Sequence, residues 1–179
     1  FPPAVPEERV AGERLVVTMI GHASFLIQVA GLNILTDPVW SERASPFRFA
    51  GPARINPPGV NMGDLPPIDI VIVTHNHYDH MDLETLRVLQ DRDRPHIVTP
   101  LGNDTIIRPR LADARIDVMD WGGVLAVGGG VTLHCEPCHH WSARGLGDRC
   151  EALWAAFVIE TPAGRIYHVG DTGFHRGIN

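Results

Sequence analysis

The stretch VTHNHYDH, residues 73–80, places three histidines and an aspartate within six positions, at the end of the apolar run IDIVIVT that spans residues 68–74. A continuous apolar run of this length reads as a strand buried on both faces. Residues i and i+2 of a strand point to the same side, so His75 and His77 present two imidazoles toward one point beyond the strand's end. Asp79 and His80 fall where the loop turns into a helix and address a second, neighbouring point. Neutral imidazole and carboxylate suit Zn²⁺, with Fe or Mn as alternatives. Two adjacent cations lower the pKa of a shared water, so hydroxide is available at neutral pH. Incidental histidines on a surface loop would account for one or two such residues, but not for this cluster behind a buried strand. The stretch reads as a binuclear metal site.

Working outward, RLVVTMIGHASFLIQVAGLNILTDP (residues 14–38) reads as three short strands, broken at Gly21-His22 and at the tight turn Ala30-Gly31. Residues 39–67 are rich in Pro, Gly, Ser and Arg with no sustained period, the mark of a functional loop or lid. After the cluster, Asp82 is placed to N-cap a helix to about Gln90, with Leu83, Leu86 and Leu89 on its buried side. HIVTP (96–100) is a strand, LGNDTIIRPRLADA (101–114) a short helix interrupted by Pro109, and IDVMDW (116–121) a strand. GVLAVGGGVTLHCEP (123–137) and ALWAAFVIETPAGRIYHVGD (152–171) are hairpins, turning at glycines and at Thr161-Pro162-Ala163-Gly164. This order predicts an α/β or α+β layer, a mixed sheet with helices on one face.

With 179 residues, 44% of them hydrophobic, the chain supports one globular domain. A net charge of −6 argues against nucleic-acid or anionic-membrane binding. All 15 basic residues are Arg, to which no function is attached. No apolar run reaches the roughly 18 residues of a membrane span. The chain opens FPPAVPEERV, without an initiator Met or a signal-peptide pattern. Localisation stays open, the cytoplasm being favoured over a periplasmic or membrane-associated site. Cys135, Cys138 and Cys150 form no disulfide framework. CEPCH (135–139) matches a haem-attachment pattern, but no distal ligand accompanies it, and no helix follows Cys138 as a thioredoxin-like pair requires.

H-x-H-x-D-H after an apolar strand resembles the signature of the metallo-β-lactamase superfamily, whose fold is an αββα sandwich. LTDP (35–38), CHHW (138–141) and GDTG (170–173) match further family positions. The resemblance implies that His75, His77 and His140 hold a first metal, that Asp79 and His80 hold a second, and that Asp171 bridges them. It implies that Asp37 braces the histidine loop, and it makes Asp79, His80 and Asp171 the catalytic set, with two Zn²⁺ per site. His140 is preferred to His139 because the family's ligand precedes a Trp. HASFLIQ, LTDPVWSERASPFRFAGPAR, LPPIDIVIVTHNHYDH and HHW…GDTG together are similar to the N-acylphosphatidylethanolamine-hydrolysing phospholipase D family and its bacterial relatives, over most of residues 18–173. That implies a small-molecule or lipid phosphodiester substrate. A lactonase or other ester hydrolase, and a non-catalytic metal-binding fragment, are the alternatives.

Around this set, His22 either faces the metals or makes a structural hydrogen bond. Arg43, Arg48 and Arg54 either grip a phosphate or sit in a solvated loop. Trp40, Phe47 and Phe49 suit an apolar tail or pin the loop to the core. Trp141 adjoins the site, as Cys138 does. His96, His134, His168 and His175 have ordinary contexts. The resemblance further implies that residues 1–179 are a single, incomplete domain, the first half of the sandwich and the start of the second. On that basis the last metal-binding histidine comes from a missing C-terminal half or a second chain, and an apolar sheet face is left uncovered.

Overall fold

In the computed structural model, which describes residues 3–47 and 49–174, the expected strands are divided between two sheets. The strands β1 (Leu15–Gly21), β2 (Ser24–Val29) and β3 (Leu32–Thr36) form an antiparallel meander. The β2–β3 turn has Ala30 at φ 52° and Gly31 at φ 77°. Positive φ at both central residues is the geometry whose twist matches a two-residue hairpin. β3 then pairs in parallel with β4 (Ile70–Ile72), followed by β5 (His96–Pro100) and β6 (Ile116–Met119). The second sheet is antiparallel throughout, β7 (Val124–Gly128), β8 (Val131–Glu136), β9 (Ala156–Thr161) and β10 (Gly164–His168), in the order β10-β9-β8-β7. The expected mixed sheet is therefore only the first of two. Parallel pairing needs long crossovers, one of which is the helix between β4 and β5, whereas short turns join β7 to β8 and β9 to β10 as antiparallel hairpins, and a long loop joins β8 to β9.

That helix, α1 (Leu83–Asp93), starts where expected, with the Asp82 carboxylate accepting from the Glu84 amide. It continues past Gln90 because its last turn is tied to the preceding loop. Asp93 accepts from the Ile68 amide, and Arg92 donates to the Met62 and Pro66 carbonyls. α2 (Asp104–Ile107) is a single turn, since Pro109 offers no amide and disfavours helix in the residue before it.

Strict alternation sorts the apolar side chains between two cores. Leu26, Leu35, Val71, Val73 and Ile97 face α1 and meet Leu86 and Leu89. Ile27, Ile34, Ile70, Ile72 and Val98 face the second sheet and meet Leu133, Cys135, Phe157 and Ile159. The central strands β2–β5 are thus buried on both faces, which is why β4 reads as unbroken hydrophobic sequence. At about 1.5–3 kcal/mol for each fully buried aliphatic or Phe side chain, these two layers dominate the stabilisation. Leu15, Val17 and Met19 form an exposed apolar stripe on one face of the edge strand β1, whereas the outer side of β8 and β9 carries Thr132, His134, Glu136, Val158 and Glu160, partly exposed and largely polar. Glu160 there pairs with both His134 and Arg165.

The described residues of 39–67 are mostly bends and irregular backbone, with one bridge among them between Arg43 and Ala53 and a 3-10 turn at Met62–Asp64. Asp82 fastens the start of this loop by accepting from the Trp40 and Ser41 amides, and Trp40 Nε1 donates to the Val60 carbonyl. No helix among the described residues is long and apolar enough to cross a membrane.

Candidate metal centre

The C-terminal ends of strands on both sheets supply the cluster. β4 runs into Thr74–His80, β8 leads to His140, and β10 leads to Asp171. Gly170, at φ 63°, allows the last of these loops to close, since a Cβ there would lie 2.8 Å from Thr74 Oγ1. Two groups of donors result, each within 4.8 Å: His75, His77, His140 and Asp171, and His22, Asp79 and His80. In the first, His77 Nδ1 is 2.9 Å from His75 Nε2 and 3.2 Å from His140 Nε2. Tetrahedral zinc with metal–nitrogen bonds of about 2.0–2.1 Å sets its donors about 3.3–3.4 Å apart, so these nitrogens converge as a metal requires. Asp171 reaches both groups, Oδ2 lying 3.6 Å from His140 Nε2 and Oδ1 3.4 Å from His80 Nε2.

His80 carries the most direct sign that a cation belongs here. Its Nε2 is buried without a hydrogen-bond partner, although Asp171 and, at 3.9 Å, Asp79 lie near it. A buried polar atom without a partner is costly, and a metal satisfies it. Burial opposes a charge on His80, but the Asp37 carboxylate and then Asp171 outweigh it and raise its pKa to about 10. Burial, followed by the charge of His80, pushes His75 down to about 3. Burial also lowers His77 and His140. The first group is therefore neutral imidazole, ready to bind. His80 pulls Asp171 down to about 2 against the opposing effect of burial.

Asp37 stands behind the histidines rather than among them. It is fully buried and accepts from the Thr74 amide at 2.7 Å, Thr74 Oγ1 at 2.9 Å, His80 Nδ1 at 2.9 Å and His168 Nε2 at 3.1 Å. Burial disfavours its ionisation, yet the charge of His80 and the hydrogen bonds from His168 and His80 hold it well below the ordinary carboxylate range. Fixing Nδ1 of His80 leaves Nε2 directed at the second group, which is how outer partners orient metal ligands. Thr74 Oγ1 does the same for His75 Nδ1, at 3.0 Å.

Sequence reasoning missed several residues. His168, read as ordinary, belongs to the Asp37 network; it shares a face of β10 with the core residue Ile166, which was the available signal. Arg144 donates to the carbonyls of Asn76 and Met81, both at 2.8 Å, and lies 3.9 Å over the Tyr78 ring, clasping the histidine loop from both ends. Trp154 Nε1 donates to the Cys138 carbonyl and steadies the loop between β8 and His140.

Of the remaining expected residues, His22 sits with its Nε2 2.9 Å from Asp79 Oδ2. Trp141 packs edge-on against His77 at 4.5 Å between ring centroids. His140 joins the donor group, while the His139 amide turns to Thr172 Oγ1. Cys138 lies with its sulfur 3.5 Å from the Asp171 carbonyl. Burial, then Asp171, raises its thiol to about 11, so it stays protonated. Arg43 and Arg54 donate to the carbonyls of Gly51 and Val39, spending donors on their own loop. Trp40 packs on the core, whereas Phe47 and Phe49 are exposed. Arg48 and His175 lie outside the described residues. His96 and His134 pair with Asp117 and Glu160 at the strands they occupy.

Two stacked sheets with histidine and aspartate donors converging at their strand ends define a metallo-β-lactamase-type domain. A family model described as the Beta-lactamase superfamily domain matches residues 32–178, and the chain belongs to that superfamily. It is 39% identical over 162 residues to an uncharacterized protein of Mycobacterium bovis, a match covering 90% of this chain and 43% of that one. It is 35% identical over 169 residues to N-acyl-phosphatidylethanolamine-hydrolyzing phospholipase D 1 of Caenorhabditis elegans, covering 89% of this chain and 47% of the relative. The chain thus spans less than half the length of these two curated relatives. Among solved structures it is similar to an isothiocyanate hydrolase from Delia radicum gut bacteria, with a TM-score of 0.66 and 26% identity over 89% of this chain and 64% of the other.

Proposed function

We propose that this chain carries the metal-binding part of a metal-dependent hydrolase that holds two zinc ions and acts on a phosphodiester. The observation that carries the reading is the pair of converging donor groups joined by Asp171. His75, His77 and His140 would hold one ion, Asp79 and His80 the other, and Asp171 both. The nitrogen-rich donor set favours zinc, with iron or manganese as competitors. Bound metal supplies Lewis acidity toward a phosphoryl or acyl oxygen and a water of lowered pKa.

The chain's own residues do the rest. Asp37, through His80 and Thr74, fixes the direction of the donors. Burial keeps His75 neutral, and Trp141 walls His77 on one side. A phosphodiester is favoured by the 35% identity to a phospholipase D, whose name refers to N-acyl-phosphatidylethanolamine. Similarity to an isothiocyanate hydrolase supports a second reading, in which the same donors serve attack on a carbon centre. The test is metal content together with turnover of bis(p-nitrophenyl) phosphate, a lactone panel and an isothiocyanate. Phosphodiester turnover lost on chelation and restored by Zn²⁺ is expected. Turnover of lactone or isothiocyanate alone would reject the phosphodiesterase reading, and turnover indifferent to chelation would reject metal dependence.

A further inference from the structure

The loop between β8 and β9 sets a cation beside the metal centre. We infer that Arg149, held on the face of Trp141, is a specificity-determining residue that binds a second anionic group of the substrate, a carboxylate or phosphate outside the reacting one. This rests on the hydrolase reading above and names a feature of the substrate that the reading leaves open.

Trp141 stands between Arg149 and the donors. Its ring is edge-on to that of His77 at 4.5 Å and lies 6.2 Å from that of His140. It is 40% exposed, which leaves this edge of the site open to a ligand. The guanidinium carbon of Arg149 lies 4.8 Å from the centroid of the same indole. A guanidinium seated over an aromatic ring uses its flat face, and its N–H groups stay directed outward in its own plane. That fan of donors matches a carboxylate or phosphate in the bidentate manner. Among the described residues no carboxylate pairs with Arg149. Its neighbour Asp148 is engaged elsewhere, Oδ2 accepting from the Arg144 amide at 2.9 Å and Oδ1 from the Gly145 amide at 2.8 Å. The charge on a reacting phosphoryl group belongs to the metal centre, so Arg149 is left for a charge elsewhere on the substrate.

The backbone holds the stacked pair in place. The Cys150 amide donates to the Ser142 carbonyl at 2.8 Å and closes residues 142–150 into a loop. Ser142 Oγ donates to the Ala152 carbonyl, and Arg144 ties the start of the loop to the carbonyls of Asn76 and Met81. Cys150, next to Arg149, sits at φ 60°, a conformation unfavourable for any residue with a Cβ. Strain of this sort persists where the surrounding structure enforces it, and it is concentrated at ligand clamps. The two arginines of the loop thus divide their tasks. Arg144 is committed to backbone carbonyls, whereas Arg149 is exposed.

The competing role is a cover for Trp141 that binds nothing. Arg149→Met keeps an unbranched apolar cover and removes both charge and donors, and Arg149→Lys keeps the charge without the planar fork. The zinc-loaded 179-residue chain and both variants are titrated calorimetrically with alkylphosphonates and with ω-carboxyalkylphosphonates of matching length, over a series of chain lengths. The phosphonate is the common anchor at the metal centre, and the carboxylate is the second anion. At the best-fitting length the carboxylate is expected to tighten binding at least about tenfold, the scale of a charge-assisted hydrogen bond. Arg149→Met should erase that gain while alkylphosphonate affinity and melting temperature stay those of the parent, and Arg149→Lys should keep part of it. A gain that survives Arg149→Met, or no gain at any length in a parent that binds the alkylphosphonates, overturns the assignment and leaves the hydrolase reading standing. A parent that takes up no zinc, or binds no phosphonate once loaded, rejects the phosphodiesterase reading, and the second-anion site falls with it.

Discussion

Asp37→Asn is the substitution whose cost can be worked most directly from the structure. The carboxylate is fully buried and serves four donors, two of them imidazole nitrogens. An amide of the same shape keeps one oxygen, enough for the Thr74 amide, and turns an NH₂ toward Thr74 Oγ1, His80 Nδ1 and His168 Nε2. His80 then loses the partner that sustains its charge. Breaking one side of a buried ion pair costs about 3–5 kcal/mol, and at about 2–4 °C per kcal/mol for a domain of this size the melting temperature should fall by about 6–20 °C. The assay is calorimetry on chelator-treated protein, so that bound metal does not contribute. The sign with pH follows from His80, whose pKa is raised from the ordinary 6.5 to about 10. Its stabilisation is complete below pH 6.5 and is lost as pH rises through about 10, while that of Asp37, whose pKa is held well below the ordinary 3.8, is lost as pH falls below that value, so the gap between parent and variant should be widest between about pH 4 and 6.5 and should narrow in alkali. A melting temperature within about 3 °C of the parent at neutral pH, or a gap that widens in alkali, would refute the account of Asp37 as the buried brace.

Asp171→Ala should lower the count of bound ions from two toward zero, and His77→Ala to about one, because the carboxylate reaches both donor groups; retention of both ions by Asp171→Ala in elemental analysis would end the bridging role. Metal entering at His80 must displace the proton that its raised pKa holds, so affinity should tighten about tenfold per pH unit below pH 10 with release of one proton. Calorimetric titration in two buffers of different ionisation enthalpy reads that proton, and identical heats would contradict it. Arg144→Ala removes two hydrogen bonds from a charged donor, worth about 1.5–3 kcal/mol each, and should weaken Co²⁺ binding about 10–100-fold, with partial recovery in Arg144→Lys. An unchanged Co²⁺ spectrum and affinity would show that the clasp on the histidine loop is dispensable.

The histidine loop was legible because the period of a strand alone brings His75 and His77 to one side, and the Asp82 cap because its side chain acts on a residue two positions away. Fold class, hairpins and the donors near residues 140 and 171 followed from local patterns and from resemblance. What stayed hidden depends on distance along the chain. The bond from His168 to Asp37 joins residues 131 apart, and no local period announces it. The position of His22 depends on how β1 is laid beside the histidine loop, and the clasp of Arg144 on how two loops dock. The polar outer side of the second sheet was readable, since Thr132, His134 and Glu136 alternate with Val131, Leu133 and Cys135, the signature of a half-buried strand. The expectation of a bare apolar face came from resemblance; the alternation in β8 argues against it for that strand, while Leu15, Val17 and Met19 are exposed on β1.

The donor atoms are gathered from the ends of strands in both sheets, and that has a consequence for how the molecule assembles. His22 and Asp171 are separated by 149 positions along the chain (171 − 22). Hairpins such as β1–β2 and β9–β10 close short loops and form within microseconds, while contacts that span most of the chain must wait until a large loop-closure entropy has been overcome. Cation capture is therefore a late event in folding. The histidine loop alone offers at most a loose, partial set of ligands, and tight binding begins only when the second sheet has docked and brought His140 and Asp171 into place. Metal uptake followed in a stopped-flow refolding experiment would thus report the joining of the two sheets rather than the formation of either one.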